Sequence, residues 1–170
     1  SKAIDDRFGC ALLVRLLQSD LEYDAYFAFC TAEEVGCRGA MTVAQAVGAD
    51  TVVVLEATTA GDIPGAPKSR VACRVGGGAV VSFMDGGTIY PRGLVDAVMR
   101  LAEEKGIRAQ LKELVAGGND ASAYQRAAAG ARVLALSAPV RYIHSACSVA
   151  KYDDLEQVFA LASALAERSF

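Results

Sequence analysis

An α/β/α sandwich with a mostly parallel central sheet is the fold this sequence predicts, and two observations predict it. Short apolar runs alternate with segments of helical spacing along the chain. The central runs "TVVVL" and "RVLALSAP" are apolar on both faces, as in strands covered by helices on either side. The 170 residues suffice for one domain with a real core.

In chain order, Arg7–Gln18 carries Phe8, Leu12 and Leu16 at helical spacing. "AYFAFC", within Asp24–Thr31, reads as a buried strand. Ala40–Val47 reads as a helix with Gly48 as its C-cap. "TVVVL" (51–55) is a β-branched strand, and residues 60–69, rich in Gly and Pro, form a loop. "AVVSFMD" (79–85) is another strand. Pro91 suits the first turn of a helix running to about Lys105 and closed by Gly106. Residues 107–114 alternate loosely and predict a strand near an edge. "GGNDASAYQRAAAG" (117–130) is a glycine turn, an Asn/Asp cap and an alanine-rich helix. Residues 132–139 form a buried strand, and 153–170 an amphipathic helix whose first-turn acids suit the helix dipole.

Composition narrows the function classes. The net charge is -3 and no Lys/Arg run occurs, so nucleic acid is not an expected partner. No apolar run is long enough to predict a membrane span. "SKAIDDRFG" lacks the apolar core of a signal peptide. Five scattered cysteines without a C-x-x-C pair read as reduced, buried thiols of a cytoplasmic protein.

The acids are more telling. Ligands of open parallel sheets collect beyond the carboxyl ends of the strands. Glu33 and Glu34 follow one predicted strand and Glu56 another. His144, the single histidine, lies in the loop after a third, and Asp5 and Asp6 precede the first helix. Each has a plain structural alternative, as a cap, a solvated turn or a loop charge. Together they predict acids and an imidazole at one edge of one sheet. Such a cluster repels itself or takes up protons unless a divalent cation neutralises it. Carboxylate plus imidazole suits zinc, cobalt or manganese.

The motifs "KAIDDRFGCALL", "TAEEVGCRGA", "LEATTAGDIPG", "GGNDASAY" and "RYIHSACSVAKYDDLE" stand in the order found in glutamyl-aminopeptidase-like, tetrahedral-type dinuclear metallo-aminopeptidases, which this chain resembles. The resemblance implies a pair of divalent cations, zinc or cobalt, bridged by Asp5. Glu34 and His144 would hold one ion and Glu56 the other, at a position where the family most often has Asp. Glu33 would be the general base. Asp6 would support Asp5 or hold an unusual peptide geometry there. Asp62, Gly117, Gly118, Asp120 and Arg141 would line the substrate pocket. The implied substrates are peptides with a free N-terminus, and the implied full-length protein is a homo-oligomer.

The family's second histidine, from an H-x-D motif far upstream, has no counterpart here. The resemblance therefore implies that residues 1–170 are the C-terminal portion of the catalytic domain, with the sandwich incomplete on its N-terminal side. An exposed sheet edge or apolar face and weak occupancy of the Glu56 ion position are then expected, with one ion or none in the isolated chain. The alternatives are a metal-free, non-catalytic module and an amidase or deacylase on the same two-metal scaffold. A basic residue such as Arg141 or Lys68 would favour acidic N-terminal residues; either reads equally as a surface charge.

Overall fold

Strand β4 (Arg132–Val140) is the spine of the molecule: every residue from Val133 to Val140 is buried. The computed structural model describes all residues except 128, 129, 169 and 170. β1 (Thr51–Thr59) pairs parallel to β4 along its whole length, from Thr51 opposite Arg132 to Thr59 opposite Val140. On the other side of β4 lies the short β2 (Ala79–Val81), antiparallel to it, and β3 (Ala109–Leu111) pairs parallel with β2 at the far edge. The order is β1-β4-β2-β3, two parallel pairs joined by one antiparallel contact.

Helices cover both faces, which is why β4 tolerates apolar residues at every position. α1 (Ile4–Leu17) packs on β1 and α5 (Tyr152–Ala166) on β4 and β2, with α3 (Arg92–Glu104) against α5 and β3. In the other layer α4 (Ala121–Gln125) packs on β4 and β1, and α2 (Arg38–Ala46) packs on α4. Pro91 and Gly106 bound α3 as expected, and Gly106 takes the left-handed φ of 66° that a C-terminal glycine allows.

The structure departs from the predicted elements in several places. Asp24–Thr31 is not a strand: it pairs with no strand among the described residues, and Tyr26 is 81% exposed. An apolar, aromatic run has strand propensity, but a strand needs a partner, which local sequence cannot supply. α2 ends on the extended residue Val47 rather than on a Gly48 cap. β1 runs past Leu55, so Glu56 lies inside the strand. β2 stops at Val81, because Gly86 and Gly87 turn the chain back through a bridge between Met84 and Ile89. α4 ends at Gln125 and α5 at Ala166; of the longer helices predicted, residues 128–129 and 169–170 lie outside the described residues. Cys73 is buried, but Cys10 and Cys147 are exposed, since a cysteine in a helical or loop pattern carries no intrinsic inward side.

Asp154 does more than complement a helix dipole. It is fully buried, and its two carboxylate oxygens accept the main-chain N–H groups of Gly76 at 2.6 Å and Gly78 at 2.8 Å, fastening the loop before β2 to α5. Asp154→Ala strands both donors in the interior. It should lower unfolding free energy by about 2–4 kcal/mol, read from the urea midpoint at unchanged slope.

Candidate metal centre and substrate cavity

Three loops bring the acids together, and all three run through left-handed backbone at non-glycine residues. Ala3, Ala32, Cys37, Tyr142 and His144 have φ between 54° and 60°. Such conformations cost energy for residues with a Cβ and persist where surrounding structure demands them. Here each lies at or within three residues of Asp5, Glu33, Glu34 or His144. Asp5 and Asp6 themselves depart from helical dihedrals inside the span of α1 and share a cis peptide bond.

His144 Nε2 lies 3.1 Å from Asp5 Oδ2 and 3.3 Å from Glu34 Oε1. Donor atoms of Asp5, Glu34 and His144 lie within 4.8 Å of one another, and so do those of Asp5, Asp6 and Glu56. Asp5 belongs to both groups. The donors are carboxylate and imidazole, a set that fits zinc or cobalt.

Glu56 reaches this point from β1, opposite Ser137 in the register, with its Oε1 accepting the Ala57 N–H at 2.9 Å. Burial holds its carboxyl well above the ordinary range, and the Asp6 charge and a hydrogen bond with Asp5 add to the shift. Asp6 is raised too, by burial and then by Asp5, Asp120 and Glu33, against the lowering effect of the Gly9 N–H. Glu33, partly buried beside Glu34, Asp120 and Asp5, is likewise raised. Carboxyls gathered this closely either keep protons or share a cation, so the residues present fit divalent ions.

The groups open on a cavity of about 540 Å³, a size suited to a small ligand. Asp5, Glu33, Glu34, Glu56 and His144 line it, as do Gly117 and Gly118 of the glycine turn. Asp6 and Asp120 are not lining residues. Asp120 is within metal-binding distance of Glu33 and Cys37, with its carboxyl raised by burial and lowered by the thiols of Cys37 and Cys30. Asp62 and Arg141 stay out of the lining as well, because they satisfy each other: Arg141 Nε and an Nη donate to the two Asp62 oxygens at 2.8 and 2.9 Å. That pairing pulls the Asp62 carboxyl below its usual value. Lys68 lies exposed in a short 3-10 turn, Lys68–Arg70.

Sequence reasoning missed the opposite wall. Asp85 there accepts from Tyr90 Oη at 2.6 Å, from Asn119 Nδ2 at 3.2 Å and from the Gly87 N–H at 2.8 Å. Beside it lies Lys112, buried just beyond β3. The only signal available was the loose alternation of 107–114, which places Leu111 and Lys112 on opposite sides.

The fold has close parallels. Over 98–99% of its length the chain superposes on an aminopeptidase from the archaeon Desulfurococcus kamchatkensis (32% identity, TM-score 0.94) and on the Pyrococcus horikoshii TET1 peptidase, which can assemble into a tetrahedron or a large octahedral shell (32%, 0.83). It covers 49% of each. The glutamyl aminopeptidase of Lactococcus lactis is 29% identical over 92% of this chain and 44% of its own length. The chain thus spans about half the length of the curated relatives it matches. The sequence profile of M42 glutamyl aminopeptidases matches residues 1–161, and the chain belongs to that family, whose aminopeptidases depend on metal ions.

Proposed function

We propose that this chain carries the proton-transfer and metal-holding residues of an aminopeptidase that removes N-terminal residues from peptides. The observation that carries the reading is the convergence of Asp5, Glu34 and His144 within 4.8 Å, on a cavity that Glu33 also lines. In this reading Asp5, Glu34 and His144 hold one divalent cation, and Asp5 and Glu56 hold a second, with zinc or cobalt the ions these donors suit. When bound, the ions supply charge that acidifies a water and polarises a carbonyl.

The chain's own residues do the rest. Asp5, common to both donor groups, ties the two positions together. Glu33, with its carboxyl raised by burial and by the neighbouring Glu34, accepts a proton from the attacking water and passes it to the leaving amine. Asp6 lies beside Asp5 and Glu56 and is itself held by the Gly9 N–H, which donates to its Oδ1 at 3.1 Å. The free α-amine of a peptide would be held on the side of the cavity lined by Asp5, Glu34, Glu56 and His144, which favours cleavage at a free N-terminus. We include homo-oligomeric assembly of the whole protein and a cytoplasmic location in this proposal; the TET1 relationship supports the former.

Three outcomes test the reading. Glu33→Gln should retain zinc, measured by calorimetry, while hydrolysis of an unblocked peptide falls by about 10²-fold or more; wild-type turnover in the variant removes Glu33 as the base. His144→Ala should weaken zinc binding by at least about tenfold, with N-acetylated peptides uncleaved by either protein. The pH dependence has a definite sign. Glu56 and Asp6 have folded-state values above their ordinary values of 4.5 and 3.8, so their contribution to stability is present at acid pH and is lost as pH rises. The melting temperature of metal-free protein should fall between about pH 5 and pH 9, and Glu56→Gln or added zinc should reduce that fall.

A further inference from the structure

Lys112 occupies a position that no packing argument explains. Its main-chain N–H donates to the Val81 carbonyl at 2.9 Å, continuing the β2–β3 pairing, so strand alternation sets its direction. Leu111 points outward, 44% exposed, and Lys112 points inward, 5% exposed. The exchange runs against the ordinary preference of both residues. A buried ammonium also loses its hydration, and burial pulls its pKa down.

The ammonium is only partly compensated. It donates to the Ala116 carbonyl at 2.6 Å, one of its three possible hydrogen bonds. Among the described residues no ion pair involves it. The Asp85 carboxylate, whose charge it feels, is already committed to Gly87, Tyr90 and Asn119. Lys112 is also the only lysine or arginine among the described residues that line the cavity. Glu56 lies on β1 and Lys112 just beyond β3, at opposite edges of the sheet, so the cation faces the acids across the cavity. A substrate amine belongs with the acids, and an anionic group of the same substrate belongs with the lysine.

We propose that Lys112 is a specificity-determining residue that receives a substrate carboxylate. The inference rests on the aminopeptidase reading and deepens it. Two carboxylates are available in a short peptide: the side chain of an acidic N-terminal residue and the C-terminal carboxylate of a dipeptide. Both are met by the same charge-assisted hydrogen bond.

Calorimetry on the zinc-loaded chain separates them. One pair of ligands is the α-hydroxamates of glutamate and glutamine, which differ only in side-chain charge. The other is leucylglycine and leucylglycinamide, which differ only at the C-terminus. Wild-type protein should bind the acid at least about tenfold more tightly than the amide in one pair, and that pair identifies the source. Lys112→Met should abolish the preference and Lys112→Arg keep it, with folding of each checked by melting; Lys112→Gln serves if the Met variant unfolds. Equal affinities in both pairs, or a preference that survives in the folded uncharged variant, overturn the proposal and leave the aminopeptidase reading standing. Zinc binding with no affinity for any of the four ligands overturns both.

Discussion

Repulsion among carboxylates is the constraint on which the rest of this structure turns. Asp5, Asp6, Glu33, Glu34 and Glu56 are drawn to one partly enclosed place, and the carboxyls of Asp6, Glu33 and Glu56 are all raised. Nothing in folding by itself favours that arrangement, because each buried charge must shed its hydration. The fold holds it through the surrounding sheet and helices, which are apolar and well buried. The electrostatic tension is then available to a cation, which relieves it on binding. In the proposed metal centre, affinity for a cation and tolerance of acid crowding are two aspects of one arrangement.

Holding such groups in place requires rigid supports. Glu56 is built into β1, where the full-length pairing with β4 fixes its backbone. Glu33, Glu34 and His144 sit on loops and Asp5 in the irregular first turn of α1, and left-handed residues at or within three positions of each of them redirect the chain over very short distances. That strain is concentrated where chemistry is expected and absent from the regular strands and helices. The partly exposed pair Asp62–Arg141 and the buried Asp154 secure neighbouring loops without entering the cavity. Charge in this protein has two separate uses, one satisfied internally and one left open to ligands.

Apolar surface is distributed unevenly. β4 is enclosed on both faces and both edges, whereas β1 and β3 are edge strands. Tyr26 and Phe29, in the unpaired stretch before Glu33, and Val53 on β1 are among the exposed apolar residues. Exposed strand edges and apolar side chains are surfaces that proteins ordinarily cover. The chain matches about half the length of its curated relatives.

By itself the sequence determined what neighbouring residues decide. Unbroken β-branched and aliphatic runs specified β1 and β4, the 3.6-residue spacing specified α1, α3 and α5, and Pro91 and Gly106 marked the ends of α3. The motif order carried the family resemblance, and with it Asp5, Glu34, Glu56 and His144. Tertiary structure alone decided the rest. It left "AYFAFC" without a partner strand, turned Asp62 and Arg141 towards each other, gave Asp154 two backbone amides, and set Lys112 inside and Leu111 outside. Propensity and periodicity act over a few residues. Strand pairing, ion pairing and the burial of a charge depend on groups tens of residues apart in the chain, whose meeting no local pattern records.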